Sequence, residues 1–206
     1  NKSFGVVEGL SIIGTTAEAH LSASPEQLSN ALDELNQALG IGSTDSITFV
    51  IGENGLDLAR KLDISFPVIK VGNWIGPALV HAATKNVKKI LLFGYYGKLI
   101  KLAGGIFHTH NHLADARIEI LVYLAVKEKI PLKIINSFMN SQTIDDAIKI
   151  IEEFNIDVAK KIISEISNQV EIRSVEYIQR YILSDMKIGV VLFDRERKIR
   201  ATSQNS

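Results

Sequence analysis

The sequence contains no cysteine. Disulfides, thiolate catalysis and iron–sulfur ligation are therefore outside its chemistry. It also lacks any excess of one charge, with a formal net charge of zero and a pI near 7.2. Nothing is left over to neutralise phosphates, so nucleic acid is not expected as a partner. No run of about 18 apolar residues occurs, and the start, Asn1-Lys2-Ser3, is not a signal peptide. No membrane association and a cytoplasmic protein follow as expectations. The missing initiator methionine suggests a fragment. Internal repeats, low-complexity tracts and the Gly-x4-Gly-Lys-Ser/Thr loop are also absent. At 206 residues, the chain is long enough for a proper core and is expected to form a single α/β domain over 1–206.

What is present is an alternation of strands and helices. Ser11 to Thr16 reads as a short strand. Ser24 reads as an N-cap, with Pro25 at the first helical position and Gln27 completing a capping box. Leu28, Ala31, Leu32, Leu35 and Leu39 follow at helical spacing, and Gly40 ends the helix. Strands are expected at Ile47–Ile51, Pro67–Val71 and Val87–Phe93. Helices are expected from Leu56 to Lys61 and from Trp74 to Asn86. Ile130–Ser137 could be a strand by composition, with a short helix as the alternative that the family resemblance given below implies. Further helices are expected from Thr143 as a cap, over Val158–Ile166 and over Val175–Leu183. Ile188–Phe193 closes the pattern as a strand, with a charged turn after it and a disordered end at Ser203–Ser206. The fold class is a three-layer Rossmann-like α/β domain, with a mostly parallel sheet and helices on both faces.

In such sheets ligands lie beyond the carboxyl ends of the strands. Here those ends are Gly52–Gly55, Gly72–Gly76 and Gly94–Lys98, all bearing glycine. Gly52, Glu53, Asn54, Gly55, Asn73, Gly76, Gly94 and Gly97 are the cofactor-binding candidates, because glycine lets backbone approach a ligand. Glu53 is placed to accept ribose hydroxyls. βα turns often carry glycine in any case.

The stretch from Gly94 to Glu119 is densest in chemistry. A turn, Gly94-Tyr95-Tyr96-Gly97, opens a helix on which Lys98 and Lys101 stand about 60° apart. Gly105 projects between them as bare backbone. That face suits a ligand with several negative groups, and its plain alternative is a solvated lysine face. Lys98, Lys101, Tyr95 and Thr109 are the substrate-binding candidates. His108, His110 and His112 alternate, as a zinc site or a proton-transfer group would. A metal is not expected. A helix from Leu113 puts Asp115 and Glu119 on one face and Arg117 well round from both. Ile120 to Val126 is apolar on every side, as in a central layer or a face for another domain.

The ordered set Gly94-x-x-Gly97-Lys98-Leu99-x-Lys101-Leu102-Ala103, Gly105-Ile106-Phe107-x-Thr109-His110 and Ala114-Asp115-x-Arg117-x-Glu119 resembles the CbiD family. These are the cobalt-precorrin-5B C(1)-methyltransferases of anaerobic cobalamin biosynthesis. Gly52-Glu53-Asn54-Gly55, Asn73-Trp74-Ile75-Gly76 and Gly9 to Thr16 agree with it. The resemblance implies methyl transfer from S-adenosylmethionine to C-1 of a polycarboxylate corrin precursor. It also implies a missing N-terminal domain of the same protein. His110, Asp115, Arg117 and Glu119 are then the catalytic candidates. His110 or Asp115 would manage a substrate proton, and Glu119 would orient Arg117 or His110. Lys98, Lys101 and Arg117 would pair with substrate carboxylates, and Trp74, Tyr95, Tyr96 and Phe107 would wall the ring. Two positions depart from the pattern. Tyr95 stands where the family usually has histidine, and Ala17 where it usually has glycine. A non-catalytic tetrapyrrole- or nucleotide-binding module and a histidine-site metal-dependent hydrolase remain as alternatives, and a homo-oligomer is left open.

Overall fold

The computed structural model describes residues 6–7, 10–11, 20–21, 25–41, 45–111 and 113–206. Three short strands come first: β1 (Val6–Val7), β2 (Leu10–Ser11) and β3 (His20–Leu21). They pair antiparallel as a sheet of their own. Most of the expected Ser11–Thr16 strand, the Ser24 cap, Gly9, Ala17 and His112 lie outside the described residues.

The main body runs α1 (Pro25–Ile41), β4 (Ser46–Val50), α2 (Glu53–Lys61), β5 (Val68–Lys70), α3 (Ile75–Thr84), β6 (Lys89–Tyr95) and α4 (Tyr96–Ala103). It continues with α5 (Arg117–Lys127), α6 (Leu132–Phe138), α7 (Ile144–Phe154), α8 (Ile156–Gln179), β7 (Lys187–Phe193) and β8 (Ile199–Thr202). The fold is α/β, with a five-stranded mixed sheet in the order β5-β4-β6-β7-β8. The first four strands are mutually parallel, and β8 adds antiparallel to β7. The expected strand set omitted β8, whose short Ile-Arg-Ala-Thr sequence carries little alternation.

The strands alternate as a sheet buried on both sides requires. Ile47 and Phe49, Ile90 and Leu92, and Ile188, Val190 and Leu192 face one large core with α1, α3, α4 and α8. Val50, Phe93, Val191 and Phe193 face a smaller cluster with Leu58 and Ala59 of α2. The layering is therefore uneven. Among the described helices, α2 alone contributes to the second cluster.

Four helices stop in the same way. Backbone N–H groups of Ile64, Val87, Ile106 and Ile130 donate back across five residues to Ala59, Ala82, Lys101 and Ala125, at 3.4, 3.1, 2.9 and 2.9 Å. The residue before each, Asp63, Asn86, Gly105 and Lys129, is left-handed, as this cap requires. Gly105 is thus the end of α4, not a bare face between two lysines.

Other expectations shift for local reasons. The Gly94–Gly97 turn is absent, because β6 runs to Tyr95 and α4 begins at Tyr96. The two helices expected over residues 158–183 are one, α8. Its buried Ser167 and Ser174 satisfy their hydroxyls on the carbonyls of Ser164 and Val170, both at 2.7 Å, so polar residues do not interrupt it. Thr143 caps α7 by accepting from the Asp146 N–H, and the short helix expected at 130–137 forms as α6. The end of the chain is not disordered. Ser203 is buried, donates its N–H to Val190 O and accepts from the Val190 N–H. Nor is Ile120–Val126 buried all round. Leu121, Leu124 and Ala125 are inside, while Tyr123 and Val126 face out.

Candidate active site

The order β5-β4-β6 means that the chain leaves β4 in one direction and returns on its other side. The crevice beyond the ends of β4 and β6 is therefore the topological switch point, where open sheets bind ligands. Gly52 forms its floor. Its φ of +77° suits glycine, and it precedes α2, which has no side-chain cap. A Cβ built on Gly52 would meet only Lys98 Nζ, at 3.8 Å. Lys98, in the first turn of α4, thus brings its ammonium to the Gly52 bend. Among the described residues no acceptor bonds it. Lys98 keeps an exposed surface, yet the atoms packed round its ammonium desolvate it. That desolvation first, and Arg117 second, hold its pKa below the usual lysine value.

Arg117 opens α5 and forms a two-pronged pair with Asp115, both bonds 2.6 Å. The expected helix start at Leu113 moves to Arg117. Asp115 therefore lies before the helix and folds back on Arg117, instead of sharing a face with Glu119. Burial pushes the Asp115 pKa up, but Arg117 and then Lys101 outweigh it and hold the carboxyl below its ordinary range. Glu119 is exposed, and it is Asp115 that bonds Arg117.

Lys101 does not face a ligand. It is fully buried and donates to Thr109 O at 3.1 Å, Asn111 Oδ1 at 2.7 Å and Ala114 O at 2.7 Å. Desolvation pushes its pKa down to about 8, with Asp115 raising it and Arg117 and Lys98 lowering it. Thr109 is also internal. Its N–H donates to Asn73 O at 3.1 Å and its hydroxyl to Asn73 Oδ1 at 2.9 Å. Asn73 and Thr109 are thus a clip between the β5–α3 bend and the loop after α4.

His108 and His110 sit on that loop, with His110 N–H donating to His108 Nδ1 at 3.4 Å. The neutral His108 tautomer then carries its proton on Nε2, which is buried without a partner, as is Trp74 Nε1. The two rings meet edge-on at 4.4 Å. Burial, opposed by its backbone bond and reinforced by Lys101, keeps the His108 pKa low. Among the described residues no group of three or more His, Cys, Asp or Glu can hold a metal.

Most of the other glycine bends are filled by the protein. A Cβ on Gly76 would strike the Tyr177 hydroxyl at 2.7 Å, and one on Gly94 would strike Leu99 at 2.9 Å. On Gly97 it would strike the Tyr95 ring at 2.4 Å. Gly55 packs at ordinary contact against Phe93 O and Val50. Glu53 is paired with Lys70, and Asn54 accepts from Arg197 at 2.8 Å.

Beyond Lys129, where the sequence offers no candidate residue, the structure adds a network. Tyr95 and Tyr96 both donate to Asp145, in the first turn of α7, Tyr96 at 2.8 Å. Arg195, just past β7, pairs with the same carboxylate at 2.8 Å. Burial first, then Asp145, pushes both phenol pKa values up. Arg200 ties Asp194 to Glu152. The charged turn after β7 was the available signal, since β7 runs parallel to β6.

Residues 108–204 match the family model described as CbiD, C-terminal domain. The chain is 61% identical over 206 residues to a cobalt-precorrin-5B C(1)-methyltransferase of Prochlorococcus marinus subsp. pastoris, covering 100% of the chain and 55% of the relative. It is 57% identical over 205 residues to the same-named protein of Prochlorococcus marinus strain MIT 9515, with coverage of 100% and 55%. For strain MIT 9303 the figures are 46% over 202 residues, with coverage of 97% and 52%. The chain spans about half the length of these curated relatives. No solved structure matches it. Over residues 108–204, the chain is thus similar to the CbiD C-terminal domain.

Proposed function

We propose that this chain is the C-terminal part of an S-adenosylmethionine-dependent methyltransferase acting on C-1 of cobalt-precorrin-5B. The observation that carries the reading is the approach of Lys98 to the open Gly52 bend, with Arg117 in electrostatic range. Like charges gathered at a strand-end crevice favour an anionic ligand, and precorrins are rimmed with carboxylates. We read the parallel core as Rossmann-like on the strength of its switch point.

S-adenosylmethionine, when bound, supplies an electrophilic methyl group. The Gly52 bend fits such a ligand. Its backbone is not covered by a side chain, and the uncapped start of α2 offers N–H donors. Glu53 and Asn54 flank that bend, and ribose hydroxyls would compete with Lys70 for the Glu53 carboxylate. Gly55, Gly76, Gly94 and Gly97 serve as close-packing positions behind it. Lys98 and Arg117 bind substrate carboxylates, with Asp115 holding the guanidinium in plane. His110 manages a proton on the substrate, its loop fixed through Thr109 and Asn73. Tyr95 acts through Asp145, and Glu119 stands at the rim.

The test combines this chain with the remaining half of a Prochlorococcus relative and follows methyl transfer to cobalt-precorrin-5B. Lys98→Ala and Arg117→Ala each should raise the substrate KM about ten-fold, the equivalent of one charged hydrogen bond. His110→Ala should lower kcat with little change in KM. Unchanged kinetics in all three variants would end this assignment of the crevice.

A further inference from the structure

An ammonium hydrogen-bonded to no carboxylate is costly to bury unless every donor is used. Lys101 meets that condition in one particular way. Its three donors all end on oxygens of Thr109, Asn111 and Ala114, between α4 and α5. An ammonium has three N–H donors and no acceptor, so none is left for a ligand. The segment it grips is fastened to Asn73 at its start and runs directly into the Asp115–Arg117 pair at its end.

We propose that Lys101 is a positioning residue, an internal latch whose ammonium holds Thr109, Asn111 and Ala114 in place and so sets the Asp115–Arg117 pair beside Lys98. Its position in the crevice rests on the functional reading above, but the latch does not. A neutral amine has only two N–H groups for three oxygens, so losing the proton releases one contact. The charged and titratable groups facing Lys101 are Lys98 on α4, His108 on the loop, and Asp115 and Arg117 before and at the start of α5. Of these, Lys98 also has its pKa lowered, by desolvation first and Arg117 second, so the Lys98→Ala variant is the control for any step seen in alkali.

The experiment is hydrogen exchange on this chain, with Lys101→Met and Asn111→Ala. Asn111 is exposed, so its replacement tests one latch contact without emptying the core. Amides from Thr109 to Arg117 should exchange about ten-fold faster in Lys101→Met, and several-fold faster in Asn111→Ala, with β4 and β6 unchanged. Trp74, the only tryptophan, touches His108 and reports the loop. Its emission should show a step through pH about 8 in the wild type and in Lys98→Ala, and none in Lys101→Met. Wild-type exchange rates in Asn111→Ala, or a step that survives Lys101→Met, would overturn the latch. Citrate, a tricarboxylate probe, separates the two readings. If it binds no variant while the loop loosens as described, the latch stands and the anion crevice falls.

Discussion

β6 ends between two crevices, and they are built in opposite ways. On the β4 side lie an open glycine and an ammonium with no acceptor among the described residues. On the β7 side, two phenols, a carboxylate and an arginine close on one another around Asp145. One strand end thus serves two purposes. Where the protein satisfies its own polar groups, it gains rigidity and leaves nothing to offer a ligand. Where it leaves a cation unanswered, it bears a desolvation penalty that an incoming anion relieves.

The sharpest way to separate the two is Asp145→Ala. It strips the acceptor from Tyr95, Tyr96 and Arg195 together and should destabilise the protein by about 3 kcal/mol in urea unfolding. Citrate affinity on the β4 side should stay within about two-fold, less than the worth of one hydrogen bond. Equal losses in both would mean that the crevices are one unit.

The wall behind the open crevice gives a pH effect of similar size. Lys101 has a folded pKa of about 8 against its ordinary 10.5, so the unfolded chain binds more protons between those values. Stability should therefore rise as pH climbs from about 8 to 10.5 and be flat below, by up to about 3 kcal/mol. The difference between wild type and Lys101→Met, followed by thermal unfolding across this range, isolates the contribution. Loosening of the loop in the same range is local and does not reverse that sign.

Glycines sharpen the contrast further. Gly76→Ala places a methyl against Tyr177 and Phe107 and should cost about 2 kcal/mol by overpacking. Gly52→Ala meets no protein wall and should cost about 1 kcal/mol, from its positive φ alone. Smallest on stability is Lys98→Ala, under about 0.5 kcal/mol, although it should weaken citrate binding about ten-fold. A large stability loss there would mean that Lys98 is a structural cation like Lys101.

The two lysines also show what a sequence can reveal of this site. Helical spacing placed Lys98 and Lys101 on neighbouring faces, and α4 does carry both. Their opposite fates depend on oxygens at 109, 111 and 114, which no periodicity reports. The strands that form the crevice were legible because Ile47–Ile51 is rich in β-branched residues and Ile90–Phe93 is apolar, each run being ended by glycine. The start of α5 was not, since Asp115 reads equally well as a first-turn acid or as a loop residue bonded to Arg117. α8 was split in reading because Ser167 looks like a break, whereas its hydroxyl turns back onto the helix itself. Asp145 passed as an ordinary helix-opening acid because its three partners, Tyr95, Tyr96 and Arg195, are each about fifty residues away in sequence.

The pairing of β6 with β7 joins Lys89–Tyr95 to Lys187–Phe193 across four intervening α-helices and the whole of α8. During synthesis, β4, β5 and β6 emerge long before their last parallel neighbour. For that interval the edge of β6 that later holds β7 presents unpaired N–H and C=O groups beside apolar side chains. Contacts of such long sequence separation form slowly. The strand beside the open Gly52 bend is therefore also an exposed edge until β7 is made, and a nascent chain stalled before Lys187 would be an aggregation-prone species.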